Sequence, residues 1–320
     1  MKLITPILVL IFILVFSSCN ENITKPDEEF KLPQFEKIGA TNVPRQSSSL
    51  TFYDSDIFVV MNDIDHNSSG YITKSSDAGY NWDLIQSFSN NIRGFGLQNS
   101  ELFMIRGASY FVSIDKGSTW NKLFEISEAN IITSSSIGQD ESIFVSTDDG
   151  IFVIQNNGTT QNQISDSTFF NSVLVNNDGT LYAIDYYSNL WKSDGINYHW
   201  SQITDSIAVE TIYCISSNEL LIGTFRNGIM KSYDGGSQWS NYGFENYNVS
   251  HLSRLTENML ICRASLGDSN IDIYLSTNNG ESWDKLGVEK IINTYGISPS
   301  KYLYLVESNG VVYKSKQPLF

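Results

Sequence analysis

The sequence predicts an all-β chain folded as a single seven-bladed β-propeller. An eight-residue phrase recurs about every 40 residues, paired apolar runs precede each copy, and no segment sustains a 3.6-residue apolar period. The phrase reads SSDAGYNW at 75–82, SIDKGSTW at 113–120, SYDGGSQW at 232–239 and STNNGESW at 276–283. Two copies have decayed: 154–161 keeps Asn156 and Gly158 between Ile154 and Gln161, and 193–200 keeps Ser193 and Trp200 with Asp194 and Gly195 placed early. Counted at the last slot, Trp82, Trp120, Gln161, Trp200, Trp239 and Trp283 lie 38, 41, 39, 39 and 44 residues apart, six turns of one unit.

The consensus S-x-[DN]-x-G-x-x-W has the chemistry of a tight turn between strands. Asp77, Asp115, Asp234 and Asn278 can accept N–H bonds from the residues just ahead, and Gly79, Gly117, Gly236 and Gly280 tolerate left-handed backbone. Trp82, Trp120, Trp239 and Trp283 are large enough to fill the wedge between neighbouring sheets.

Each unit opens on a more polar strand. A first apolar run follows: IFVVM (57–61), LFMIR (102–106), IFVST (143–147), LYAID (181–185), LLIGT (220–224), MLICR (259–263) and LYLVE (303–307). A second lies nearer the turn: GYITKS (70–75), YFVS (110–113), GIFVI (150–154), NLWKS (189–193), GIMKS (228–232), DIYLS (272–276) and GVVYKS (310–315). Both are β-branched and aromatic with turn residues between them, hence strands, and a strand starting at the Trp completes four antiparallel strands per blade. The last unit lacks its fourth strand, since the chain finishes at KSKQPLF. FEKIG (35–39) matches WDKLG (283–287), with Phe35 in the Trp slot. A ring of sheets leaves an open edge unless its ends share a blade, so residues 34–40 are expected to close the last one.

The phrase resembles the Asp-box, or BNR, repeat, and the resemblance covers residues 34–320. Families carrying it include sialidases, xyloglucanases, sortilin-type receptors and photosystem II stability/assembly factor propellers. The resemblance implies turns at the blade peripheries whose carboxylates serve the turn, and a scaffold or assembly role by analogy with the photosystem factors.

The first 33 residues differ. Met1-Lys2 precede a run from Leu3 to Phe16 that is apolar apart from Thr5 and Pro6, followed by Ser17-Ser18-Cys19. The run is short for a membrane span and reads as a secretory signal. Small residues before Cys resemble a Bacteroidetes-type lipobox, which implies acylation of Cys19, although Phe16 stands where Leu is usual. Residues 20–33, NENITKPDEEFKLP, read as an acidic tether. The expected organisation is a signal peptide at 1–18, lipidated Cys19 and tether at 19–33, and the propeller at 34–320, in a bacterial outer-membrane lipoprotein facing the surface or the periplasm.

Composition agrees with an exported globular chain. The 320 residues are 41% hydrophobic, with 17 Tyr and 18 Phe. A formal charge of −15 argues against nucleic acid or anionic membrane as partner, either of which needs a basic face. Cys214 and Cys262 fall in strands of neighbouring blades and read as buried thiols, with pairing left open.

Candidate chemistry is sparse. His66, His199 and His251 lack H-E-x-x-H or C-x-x-C company, so neither metal nor cofactor is expected. Asp63, Asp65 and Asn67 alternate like the start of a calcium loop, but Ser68 and Lys74 occupy its Gly and Glu places. Sialidases look like six-bladed propellers with an R-I-P phrase, an arginine trio and a Tyr–Glu pair. Here Arg45 sits in VPRQ, the arginines show no such frame, and the blades count to seven. The two-domain xyloglucanases work in a cleft between propellers that one propeller cannot build.

A binding surface remains. The last position of the first apolar run reads Met61, Arg106, Thr147, Asp185, Thr224, Arg263 and Glu307, on the rim opposite the recurring turns. The loops beyond it carry Tyr186-Tyr187 and Phe225-Arg226. Arg106, Asp185, Tyr186, Tyr187, Phe225, Arg226, Arg263 and Glu307 are the candidate site, suited to a protein segment or a sugar. Strand ends reaching water would also be polar. The expectation is a monomer that binds a partner without catalysis; the alternative is a glycan-active enzyme of sialidase-like class.

Overall fold

A computed structural model describes residues 30–43, 46–63, 69–166, 168–204, 206–267, 271–288 and 291–320. The chain divides into two compact units, Met1–Leu32 and Pro33–Phe320. Of the first, only residues 30–32 are described, without regular structure. Cys19, the expected signal and most of the tether lie outside the described residues, as do Arg45, Asp65, His66, Asn67 and Ser68.

Seven four-stranded antiparallel sheets form the second unit. Blade 1 comprises Gln46–Tyr53, Asp56–Asn62, Gly70–Ser75 and Asp83–Phe88; blade 2, Gly94–Gln98, Glu101–Arg106, Ser109–Ser113 and Asn121–Glu125. Blade 3 comprises Ile132–Ile137, Ile143–Thr147, Gly150–Gln155 and Thr160–Gln163; blade 4, Phe170–Val175, Leu181–Asp185, Leu190–Ser193 and Trp200–Gln202. Blade 5 comprises Val209–Cys214, Leu220–Thr224, Ile229–Ser232 and Ser240–Gly243; blade 6, Tyr247–Arg254, Leu260–Leu266, Asp272–Ser276 and Asp284–Lys285. Blade 7 joins Ile292–Ile297, Leu303–Glu307 and Val311–Ser315 to Phe35–Ala40. The closing strand pairs Phe35 with Ser315 and Ala40 with Val311, as the FEKIG match predicts.

Burial explains the alternation of polar and apolar strands. Second strands are covered on both faces, so Ile143–Thr147, Leu181–Asp185, Leu220–Thr224 and Leu303–Glu307 are buried at every position. First strands pack against those of neighbouring blades around the central bore and stay half-exposed. The fourth strands depart slightly from expectation. Only Trp200 lies within one; pairing elsewhere starts after the Trp, whose side chain turns into the wedge instead.

The core is distributed, with one hydrophobic cluster in each blade interface. Each Trp packs between its own blade and the preceding one: Trp82 meets Ile57, Tyr304 and Val306, and Trp283 joins the cluster of Leu221, Leu252 and Cys262. Phe35 does the same between blades 6 and 7. Blade 3 has Gln161 in that slot, and its interface with blade 2 holds a stack of Phe103, Tyr110 and Phe124, with ring centres 5.5 and 5.0 Å apart.

The four intact copies of the recurring phrase form one turn. Ser75 Oγ donates to Asp77 Oδ1 (2.8 Å) and accepts from Gly79 N (2.9 Å), while Asp77 Oδ1 accepts from Asn81 N (2.9 Å). The same three bonds recur at Ser113–Asp115–Thr119, Ser232–Asp234–Gln238 and Ser276–Asn278–Ser282. Ala78 (φ 60°) and Gly79 (φ 93°) stand in succession in the left-handed region, which explains the glycine.

Candidate functional site

Strand direction puts the recurring turns on one face of the ring and the links from second to third strands on the other. On that second face, six of the seven first strands carry a β-bulge at one shared place, at Ser48, Thr133, Asn171, Glu210, Ser250 and Asn293. In every blade a buried residue precedes this place: Ser47, Ile92, Ile132, Phe170, Val209, Val249 and Ile292. The bulge side chains lace blades together, as Thr133 Oγ1 donates to Phe170 O (2.7 Å) and Asn293 Nδ2 to Ser47 O (3.2 Å). These residues were not singled out from the sequence, although a buried residue followed by a polar one recurs as Ile132-Thr133, Phe170-Asn171, Val209-Glu210 and Ile292-Asn293.

A polar opening of about 530 Å³ lies where blades 1, 6 and 7 meet, lined in part by Ser48, Asn62, Asn91, His251, Arg263 and Asn293. Arg263 Nη1 reaches Asn293 O at 3.5 Å, while Arg263 Nε and Asn91 Oδ1 are buried without a hydrogen-bond partner among the described residues. The outer edge of His251 meets solvent, but the enclosing sheets and then the charge of Arg263 hold its pKa below the usual 6.5. Its ring stands edge-on to Tyr295, 5.5 Å between centres.

A second opening, about 630 Å³, lies between blades 3 and 4 and contains Asp148, Phe169, Asp185, Tyr186, Tyr187, Asn189 and Trp191. Asp185 is only 4% exposed and accepts four bonds: from Tyr187 N (2.8 Å), Asn189 N (2.9 Å), Asn189 Nδ2 (3.0 Å) and Trp191 Nε1 (2.9 Å). It therefore fixes the loop that lifts Tyr186 and Tyr187 into solvent, 64% and 81% exposed. Their rings are perpendicular, and Phe169 stands edge-on to Tyr186.

The other predicted positions occupy separate blades. In blade 5, Phe225 is exposed and Arg226, at φ 73°, is held by a bond from its N–H to Asn248 Oδ1 (2.9 Å), with its guanidinium 4.9 Å from the Phe225 ring. In blade 2, Arg106 lies over Phe88 at 4.3 Å, and burial lowers its pKa. In blade 7, Glu307 is buried and accepts a 2.7 Å bond from Tyr313 Oη. The predicted set thus forms stations around one face rather than a single cluster. Arg263 departs from the expected rim position: it lies inside the strand Leu260–Leu266, and Ala264 holds the place that Arg106 and Asp185 hold in their blades. Cys214 and Cys262 are free thiols, and burial pushes Cys214 up to about 12. No group of three or more His, Cys, Asp or Glu among the described residues is arranged to hold a metal ion.

No protein-family model and no curated protein matches the sequence. Solved structures do. The chain is similar to YCF48 bound to D1 peptide, with a TM-score of 0.66 at 11% identity, covering 90% of this chain and 98% of that one. It is similar to the WD40 β-propeller domain of Doa1, with a TM-score of 0.68 at 10% identity over 89% and 97% of the two chains. A third likeness is to the extracellular domain of the two component system protein BT4673 from B. thetaiotaomicron, with a TM-score of 0.65 at 12% identity, covering 89% of this chain and 40% of that one. The likeness is one of fold. The likeness to the Doa1 domain agrees with the β-propeller fold of the seven sheets, and at such identities the side chains of each mouth are its own.

Proposed function

We propose that this chain is a non-catalytic cell-envelope propeller that holds a protein segment on the face away from its recurring turns. The Tyr186–Tyr187 loop carries this reading. A buried carboxylate occupied by four bonds holds two large rings in solvent, an ordering cost met in the fold rather than on binding. Aromatic and arginine side chains of this kind are the usual anchors of protein interfaces. The peptide-bound YCF48 structure supports a protein partner, and the extracellular domain of BT4673 supports an exported location. The same reading includes Asp-box kinship, a signal peptide at 1–18, lipidation at Cys19, a tether to residue 33, a propeller at 34–320 and a monomeric state.

One observation favours the glycan-active alternative: the Tyr313–Glu307 pair resembles the nucleophile and helper of sialidases. Its electrostatics oppose that use. Burial, then the bond to Glu307 and its charge, push the phenol up to about 12, whereas an activated nucleophile needs its pKa lowered. Glu307 also forms no ion pair with an arginine among the described residues. A fluorogenic sialoside should therefore not be turned over; turnover abolished by Tyr313→Phe would reverse the assignment.

The binding reading is tested by photo-crosslinking on intact cells with wild type and with Arg226→Ala, Arg263→Ala and Tyr187→Ala. Wild type should capture a defined protein, and each variant should lower the yield, by about tenfold where a hot spot is lost. Undiminished capture by all three variants would remove the face from consideration.

A further inference from the structure

We infer that the opening between blades 3 and 4 takes the cationic end of a lysine or arginine side chain. The inference rests on the reading above that this face meets a protein, and adds what part of that protein is recognised. Two properties of the opening carry it: ring faces set at right angles, and negative charge with no ion-pair partner among the described residues.

The rings come first. Phe169, Tyr186 and Tyr187 form a chain of edge-to-face contacts, each 5.5 Å between centres, with interplanar angles of 68° and 84°. Successive faces therefore turn a corner, and Trp191 adds a further wall. A corner of π faces attracts a cation from more than one side.

The carboxylates decide between ligand classes. Asp185 accepts four bonds, about as many as a carboxylate has lone-pair sites. Asp148 accepts from Asn130 N (2.9 Å), Asn130 Nδ2 (2.9 Å) and Ile131 N (3.2 Å). Burial alone would raise its pKa, but these bonds outweigh it, and the group stays ionised. The Asn189 amide is also engaged at both ends, donating to Asp185 and accepting from Gln202 Nε2 (3.3 Å). A sugar reads its site through hydroxyl hydrogen bonds, and the Asp185 carboxylate and the Asn189 amide are already engaged, which leaves chiefly the hydroxyls of Thr168, Tyr186 and Tyr187. The charge remains, since neither Asp148 nor Asp185 has an ion-pair partner among the described residues. Unpaired negative charge beside ring faces attracts a cation, and it gives a neutral polyol no comparable gain.

The test titrates the full chain with N-acetyl-arginine amide and N-acetyl-lysine amide, following the Trp191 indole N–H by NMR. N-acetyl-citrulline amide serves as the uncharged isostere and a methyl hexoside as the sugar probe. Both cations should shift the Trp191 signal and saturate; citrulline and hexoside should not. Tyr186→Ala and Tyr187→Ala should each weaken the cations about fivefold, while Tyr187→Phe stays within about twofold because the ring face is kept. Raising salt from about 50 to about 500 mM should weaken them further. Citrulline binding as tightly as arginine, or a hexoside shifting Trp191 where cations do not, would overturn the assignment. Cation binding without cellular capture would keep this site and remove the protein reading; capture without cation binding would do the reverse.

Discussion

At the scale of single residues, the turn chemistry outlasts the residues that define it. Gln161 stands in a Trp slot, yet its Nε2 donates to Gly158 O at 3.4 Å, the bond that the Trp82 indole makes to Gly79 O at 2.8 Å. Asn156 and Thr160 bond across four residues, as Asp115 and Thr119 do. Asp194 lies one place early and still accepts from the N–H groups of Ile196, Asn197 and Tyr198. The phrase was legible because each slot has one job. The bulge residues were not, because Ser48, Glu210 and Asn293 have polarity in common and no shared side chain. Ser113 is fully buried and accepts from Gly117 N, so Ser113→Ala should leave that N–H without a partner and cost about 1–3 kcal/mol, measured by urea unfolding. Bonds from the Thr119 hydroxyl and N–H, then from Ser113, lower Asp115 to about 2 from the usual 3.8. The unfolded chain therefore takes up this proton first on acidification. The stabilisation is complete above about pH 4, declines below it and is lost near about pH 2, so the melting-temperature gap between wild type and Asp115→Asn should narrow over that interval. At the polar opening, His251 should titrate below 6.5 by NMR, and Arg263→Ala should move the midpoint upward, since one source of its depression is removed.

At the scale of the strand and the blade, the wedge is the unit of stability. Trp82 fills the joint between the closing blade and blade 1 and is 5% exposed, so Trp82→Ala should cost about 3–5 kcal/mol. Gly39 shows how closely the closing strand approaches the next turn: a Cβ there would lie 2.3 Å from Gly79 O and 2.9 Å from Tyr80 O. Both obstacles are backbone. Gly39→Ala should destabilise by about 1–3 kcal/mol in the same assay, with the shift carried by the denaturation midpoint. Strand identity was legible from β-branched runs and the closure from Phe35 in a Trp slot. Which strands would be covered on both faces was legible too, but the fate of their last residues was not. Asp185 and Glu307 stand where a strand meets water, yet each is drawn inward by donors from its own sheet. Such bonds depend on register, which one sequence leaves open.

At the scale of the whole molecule, seven separate interfaces replace one central core, so the ring's stability is a sum over neighbours. Removing residues 30–40 should uncover the Val311–Ser315 edge and empty the Phe35 and Ile38 positions of two joints. The shortened chain is expected to melt at lower temperature and to self-associate in size-exclusion chromatography, because an unpaired strand is a template for another. Blade number and charge were legible from the spacing and from the formal −15. The openings were not: the polar one draws side chains from blades far apart in the chain, as Ser48 and Arg263 illustrate, and the one between blades 3 and 4 depends on how their loops are folded.

The seam in blade 7 also has a mechanical side. Residues 34 and 316 sit together at one end of an antiparallel pair, where Lys316 N donates to Gln34 O at 2.8 Å, and the ladder then runs inward from Phe35 and Ser315. Tension between those two points would load a single rung at a time, unzipping the seam instead of shearing all its rungs together. The ring is thus weakest against a tug at its own clasp.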